Sequence, residues 1–166
     1  MGTEKEMVGQ HLVQLREITF ATVRQVTSLR VSEQQSRYVA PNATSIAKGL
    51  LNPGGWLRAI YAADAPVGFA MLFDPKVPGA ISRGLLDAAS LLLWRLMVDH
   101  AHQKRGYAKN ALNLLCAQAR KAGADTLITS YVPGEYGPEQ FYLHYGFVKT
   151  GAMRANGTEP ELRLSL

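Results

Sequence analysis

Residues 103–108 read Gln-Lys-Arg-Gly-Tyr-Ala, and they join two strongly patterned segments. Before them, residues 91–99 (Leu-Leu-Leu-Trp-Arg-Leu-Met-Val-Asp) form the most apolar strand candidate in the chain. After them, Ala108, Ala111, Leu112, Leu115, Cys116 and Ala119 recur at helical spacing and mark the buried face of a helix over 106–122. That helix starts at Gly106. Its first unpaired N–H groups and the positive end of its dipole point into the turn, where Gly106 lets an anion approach the backbone. Lys104, Arg105 and Lys109 add positive charge. An ordinary strand-to-helix turn, with Gly for conformation and Lys and Arg for solubility, accounts for the same residues, so the segment alone leaves both readings open. A Walker loop and a dinucleotide fingerprint both drop out: no Gly-Lys-Ser/Thr follows, and no further Gly stands at Lys109 or just beyond.

Outward from this turn the order of elements is α/β. Residues 11–18 alternate apolar and polar and predict a first strand. Thr19 is a candidate cap for a helix over 20–29 with Phe20, Val23, Val26 and Thr27 at helical spacing, and Ser32 for a helix over 33–38. Asn42 is a candidate cap for another over 43–51, and Asn52-Pro53-Gly54-Gly55 is a turn. Residues 56–62 and 67–73 predict a hairpin. Beyond the central strand and its helix come a strand over 125–132, a helix over 138–145 opened by Pro138 and closed by Gly146, and strands over 147–153 and 162–166. The second half therefore reads strand-helix-strand-helix.

Composition narrows the class. The chain has 166 residues, 47% hydrophobic and 19% charged, enough apolar content for one domain with a sizeable core. No repeat or linker suggests a boundary, and the organisation expected is a disordered N-terminal segment over 1–10 and one domain over 11–166. The single cysteine, Cys116, excludes an internal disulfide and a thiolate zinc site, so a cytoplasmic setting is expected. No signal peptide and no span of about 20 apolar residues is visible, so no membrane insertion is expected. Lys plus Arg number 18 and Asp plus Glu 13, a formal charge of +5. Residues 100–124 hold no acid and five cations (Lys104, Arg105, Lys109, Arg120, Lys121), so the surplus is local to the turn and its helix. Such a segment suits nucleic acid, an acidic membrane or a phosphorylated small molecule. No basic-aromatic interleaving or helix-turn-helix supports nucleic acid, and that alternative rests on charge alone.

Gln103, Gly106 and Ala108 match Q/R-x-x-G-x-G/A, the pyrophosphate motif of the GNAT N-acetyltransferases, and 141–147 (Phe-Tyr-Leu-His-Tyr-Gly-Phe) matches their late aromatic-Tyr…Gly-Phe signature. The chain resembles that family from about residue 12 to its end. The resemblance implies a single-domain α/β fold, a mixed central sheet flanked by helices, and acetyl-CoA as cosubstrate. It also implies that the backbone of Leu96, Met97 and Val98 holds the pantetheine arm, and that Gln103, Lys104, Arg105, Gly106, Tyr107, Ala108 and Lys109 wrap the pyrophosphate. Within the family, 31–35, 38–42 and 94–99 are similar to bacterial diamine and polyamine acetyltransferases, which implies a small amine acceptor, with a protein amine, an aminoglycoside or an amino acid as alternatives.

The chemistry then asks for particular groups. An alkylamine with a pKa near ~10 must lose a proton, and Glu33 and Glu135 are the acidic candidates, each of which can equally be a solvated surface carboxylate. By the resemblance Tyr142 protonates the leaving thiolate, a backbone N–H near Val98 stabilises the oxyanion, and Glu135 stands where many members carry an Asn that contacts pantetheine. A buried packing role for Tyr142 is the alternative. Cys116 shares the apolar helix face and reads as core. His11, His100, His102 and His144 show no ligand spacing, so no metal is expected. The expected partner is a small-molecule amine, with a homodimer as the one assembly entertained.

Overall fold

The computed structural model describes residues 12–82 and 87–166. The segment expected to be disordered, residues 1–10, and His11 lie outside the described residues. β1 (Gln14–Arg16) leads to α1 (Val23–Ser28), a 3-10 helix (Glu33–Tyr38) and α2 (Asn42–Leu50). The hairpin β2 (Gly55–Ala62) and β3 (Ala65–Phe73) follows, then β4 (Ser90–Val98), a 3-10 turn (His100–His102), α3 (Tyr107–Lys121), β5 (Thr126–Ser130), α4 (Glu139–Tyr145), β6 (Val148–Arg154) and β7 (Glu159–Ser165). The strands form one seven-stranded sheet in the order β1-β2-β3-β4-β5-β7-β6. Its neighbours are antiparallel except β4 and β5, which α3 connects by the crossover that parallel pairing requires.

Each face of the sheet carries a core. The larger one packs α3 through Ala111, Leu112, Leu115, Cys116 and Ala119 onto Ala70, Leu72, Leu91 and Leu93, as the helical spacing of these residues predicts. Leu112 and Leu115 are sealed completely, each worth about 1.5–3 kcal/mol of burial. The smaller core sets Val26 of α1 and Ile46 of α2 against Ala59, Tyr61, Phe69, Met71 and Met97.

The first third of the chain departs from its sequence reading in local ways. Thr19 does not cap α1: it opens a turn whose hydroxyl partner is Thr22, the residue at the N-cap. Phe20 is therefore excluded from the helix face and is 99% exposed. Residues 33–38 form the tighter 3-10 helix, with the Ser32 N–H donating to Gln35 Oε1 at 3.3 Å. Asn42 is the first residue of α2 behind Pro41, and its buried amide donates to Val26 O at 2.9 Å, tying α2 to α1.

β4 and β5 pair for three residues only: Ser90 with Thr126, Leu91 with Leu127 and Leu92 with Ile128. Past that point the two strands part. Opposite β3, Leu72 pairs with Leu93 and Met71 with Arg95, so Trp94 is an extra residue and β4 is bulged there. A bulge bends and twists its strand. Its effect on side chains is specific: Trp94 packs on the smaller core while Leu93 and Leu96 both face the larger one.

Candidate active site

The turn after β4 is built by two left-handed residues. Lys104 has φ 62° and Gly106 φ 78°, and this alternation of handedness turns successive amides toward one side, the geometry of an anion-binding nest. Gly106 sits at the N-cap of α3, whose dipole adds to the same site. A hypothetical Cβ on Gly106 would meet nothing within 4 Å, so the glycine serves the backbone conformation and leaves room for a ligand. Asp99 holds the turn from below. Its carboxylate accepts from the N–H groups of Arg30 (2.9 Å) and Ala101 (3.2 Å) and lies 3.2 Å from His102 Nδ1. Burial raises its pKa, but these bonds outweigh it and hold the carboxyl below the ordinary value.

From this turn a groove of about 930 Å³ runs between α3 and α4, at the upper end of what small-molecule sites occupy. Lys104, Lys109 and Arg120 line it, and no carboxylate among the described residues does. Val98, Gln103, Gly106, Tyr107 and Ala108 border it as well. The predicted pyrophosphate residues thus come together, with two qualifications. Tyr107 is largely buried as the first residue of α3, and the Gln103 carboxamide is turned inward, donating to Val98 O at 3.0 Å and Gln35 Oε1 at 2.8 Å. Arg105 Nη2 donates to Ala101 O at 3.4 Å. Leu96, Met97 and Val98 lie on β4 beyond its last pair with β5, where the strand edge turned toward β5 has left the ladder.

Tyr142 lies under the fork between β4 and β5. It is 6% exposed, its ring packed edge-on against Phe141 and Phe147 at 5.3 and 5.2 Å between centroids. At the fork the Thr129 hydroxyl donates to Leu93 O at 3.0 Å, just past the last β4–β5 pair. Burial pushes the Tyr142 pKa up to about 12, against the lowering effects of Thr129 and the Arg95 cation. The phenol is therefore a protonated donor at neutral pH.

The two predicted carboxylates lie on the surface. Glu33 is exposed on the first turn of the 3-10 helix and Glu135 is exposed in the loop after β5. Neither side chain has a hydrogen-bond or ion-pair partner among the described residues. The neighbourhood matters more than the carboxylates: Gln35 reaches Gln103, and Tyr38 accepts from the Tyr136 N–H at 3.4 Å. A Cβ on Gly134, which has φ 154°, would overlap the Tyr38 hydroxyl. The 3-10 helix is thus a strap from the basic turn to the loop before α4.

Three residues near the groove or fork escape sequence reading. Tyr145, unclassified by its pattern, lines the groove, donates to Asn113 Oδ1 at 2.6 Å and lies 3.6 Å from Cys116 Sγ. Burial and the cysteine raise its pKa strongly, and burial likewise raises that of Cys116. Arg95 bonds Ser45 of α2, and Thr129 bridges the fork. A signal for Arg95 is present in the sequence: it is the one charge in the apolar run 90–98. Among the described residues no cluster of three His, Cys, Asp or Glu could hold a metal, and no helix is long and apolar enough to cross a membrane.

The chain is similar to known proteins in sequence family and in fold. The family model described as "Acetyltransferase (GNAT) family" matches residues 20–147. No curated protein matches. Among solved structures, the aminoglycoside acetyltransferase AAC(6')-Ib in complex with coenzyme A is similar at TM-score 0.73 and 11% identity, over 92% of this chain and 94% of that one. PaiA N-acetyltransferase from Thermoplasma acidophilum, also with coenzyme A, has TM-score 0.65 and 13% identity over 93% and 99%. An acetyltransferase from Thermus thermophilus has TM-score 0.64 and 15% identity over 93% and 97%. At these identities the likeness is one of fold.

Proposed function

The chain belongs to the acetyltransferase (GNAT) family, acetyl-CoA-dependent N-acetyltransferases, and on that premise we propose that it acetylates a primary amine by direct attack in a ternary complex. The observation that carries this reading is the buried, protonated Tyr142 under the β4–β5 fork, close to a basic groove with no carboxylate among its described lining residues. In the proposed reaction the nest at Lys104–Gly106 and the cations Lys104, Lys109 and Arg120 bind the pyrophosphate of acetyl-CoA, and the β4 edge at Leu96–Val98 lines up the pantetheine arm. The neutral amine attacks the thioester carbon, a backbone N–H near Val98 stabilises the oxyanion, and the C–S bond breaks as Tyr142 gives its proton to the thiolate, while the proton lost by the attacking nitrogen passes through water and restores the Tyr142 phenol. The products are the N-acetylamine and CoA thiol. Buried Cys116 is left out of the chemistry, because its raised pKa disfavours the thiolate that an acyl-enzyme route needs. We place the enzyme in the cytoplasm, as one catalytic domain over 11–166, with a homodimer as the assembly to look for.

Diamines and polyamines are the acceptors suggested by the likeness of 31–42 and 94–99. They carry positive charge alone, and the Arg95 cation close to Tyr142 opposes them. The deciding experiment is release of free thiol from acetyl-CoA with a panel of polyamines, amino acids and aminoglycosides. Turnover with at least one amine is expected, and silence across the panel would overturn the reading. Charge reversal Lys109→Glu is expected to weaken CoA about tenfold at low salt, with the gap closing as salt rises, measured by calorimetric titration.

A further inference from the structure

Arg95 has no task in the reaction as described so far. The bulge at Trp94 puts its side chain on the α1/α2 face, where Nε donates to Ser45 Oγ at 3.0 Å and Nη1 to Trp94 O at 2.7 Å. These bonds fix the guanidinium and leave Nη2 without a hydrogen bond among the described residues. Nη2 is reachable from solvent, since no sealed side-chain nitrogen or oxygen among the described residues lacks a partner. Among those residues no carboxylate comes within 4.0 Å of it. A half-buried cation without a counter-ion is costly, and burial does draw its pKa down, while Glu159 and Tyr142 pull it up.

Glu159 of β7 is the complementary group. Ser130 Oγ donates to its Oε2 at 2.6 Å, and no cation forms an ion pair with it among the described residues. Glu159 lies beyond ion-pair distance of Arg95. Arg95 lies two residues past Leu93 on β4 and Glu159 is bonded to Ser130, the residue after Thr129 on β5, so a fixed cation and a fixed carboxylate stand on opposite sides of the fork that Thr129 bridges. A molecule carrying an ammonium and a carboxylate a few bonds apart satisfies both, whereas a polyamine satisfies one and is repelled by the other.

We propose that the acceptor is an amine bearing a carboxylate, of the free amino-acid class, with Arg95 binding the carboxylate through Nη2 and Glu159 facing the ammonium. This rests on the acetyltransferase reading above. The test runs thiol release on the twenty amino acids, on the amides and decarboxylated amines of those turned over, and on lysine against cadaverine and spermidine. The wild type is expected to favour the carboxylate form by at least about tenfold in kcat/KM, and Arg95→Gln to bring that ratio toward one. Preference for decarboxylated amines or spermidine, no turnover of any amino acid, or an unaltered ratio in Arg95→Gln would each overturn the proposal. The wild-type panel decides even if Arg95→Gln folds poorly. If no amine at all is acetylated, the acetyltransferase reading fails on its own. Calorimetric titration of the CoA-loaded protein with lysine and cadaverine then judges Arg95: carboxylate-dependent binding supports it, and equal or absent binding overturns it.

Discussion

Tyr142→Phe lowers kcat by about 10²–10⁴-fold, the span general acids contribute, while the Kd for CoA shifts by no more than a few-fold. The substitution removes one oxygen and keeps the ring, so the edge-on contacts with Phe141 and Phe147 survive. Thr129 still donates to Leu93 O, so the fork stays pinned. Single-turnover kinetics beside CoA titration separate the two outcomes, and an equal loss in both would make Tyr142 a packing residue. The pH profile adds a check. Burial raises the folded pKa from 10.0 to about 12, so the native state keeps its proton where the unfolded chain releases it. Stability from this group is complete below pH ~10 and declines as pH rises from there through ~12. No loss of rate from Tyr142 itself is expected between pH 7 and 10.

Gly68→Ala is the most damaging backbone change near the site. Gly68 of β3 pairs with Val98, and an added Cβ would overlap the Met97 carbonyl oxygen and crowd Val98 Cα at 3.3 Å. The obstacle is the backbone of a neighbouring strand, which cannot rotate away as a side chain would. A loss of about 3 kcal/mol is expected, at the upper end of overpacking costs, read from urea denaturation. CoA binding should weaken with it, because the displaced residues are those of the β4 edge. Gly106→Ala provides the contrast: nothing crowds its Cβ, so its cost is the strain of φ 78°, about 1–2 kcal/mol, expressed chiefly in the turn.

The features readable from sequence are those set by near neighbours in the chain. The buried face of α3 needs only a period of 3.6, the basic turn needs only adjacency, and Tyr142 is reached through a seven-residue signature. What escapes is set by the bulge and by distance. Strand alternation puts Trp94 and Arg95 on opposite faces, but the extra residue in β4 sends both to the α1/α2 face. Gln103 carries the motif position for a phosphate contact, yet its carboxamide is taken by Gln35 and Val98 O. Glu33 stands out by its charge at a helix start, and the tighter 3-10 geometry leaves it exposed while Gln35 and Tyr38 face inward. Glu159 cannot be paired with Arg95 in advance, since their proximity depends on how β5 and β7 flank the fork.

The strap has a consequence for how the protein is made. Gln35 meets Gln103, 68 positions further on, and Tyr38 meets Tyr136, 98 positions further on. A chain synthesised from its N-terminus therefore presents the strap long before either anchor exists, and contacts that remote are slow to form. The hairpin of β2 and β3 can close at once, but the strap has no seat until the loop after β5 has emerged. The cleft is then completed late, after the sheet that supports it, and amides of residues 33–38 should be among the last to gain protection from hydrogen exchange during refolding.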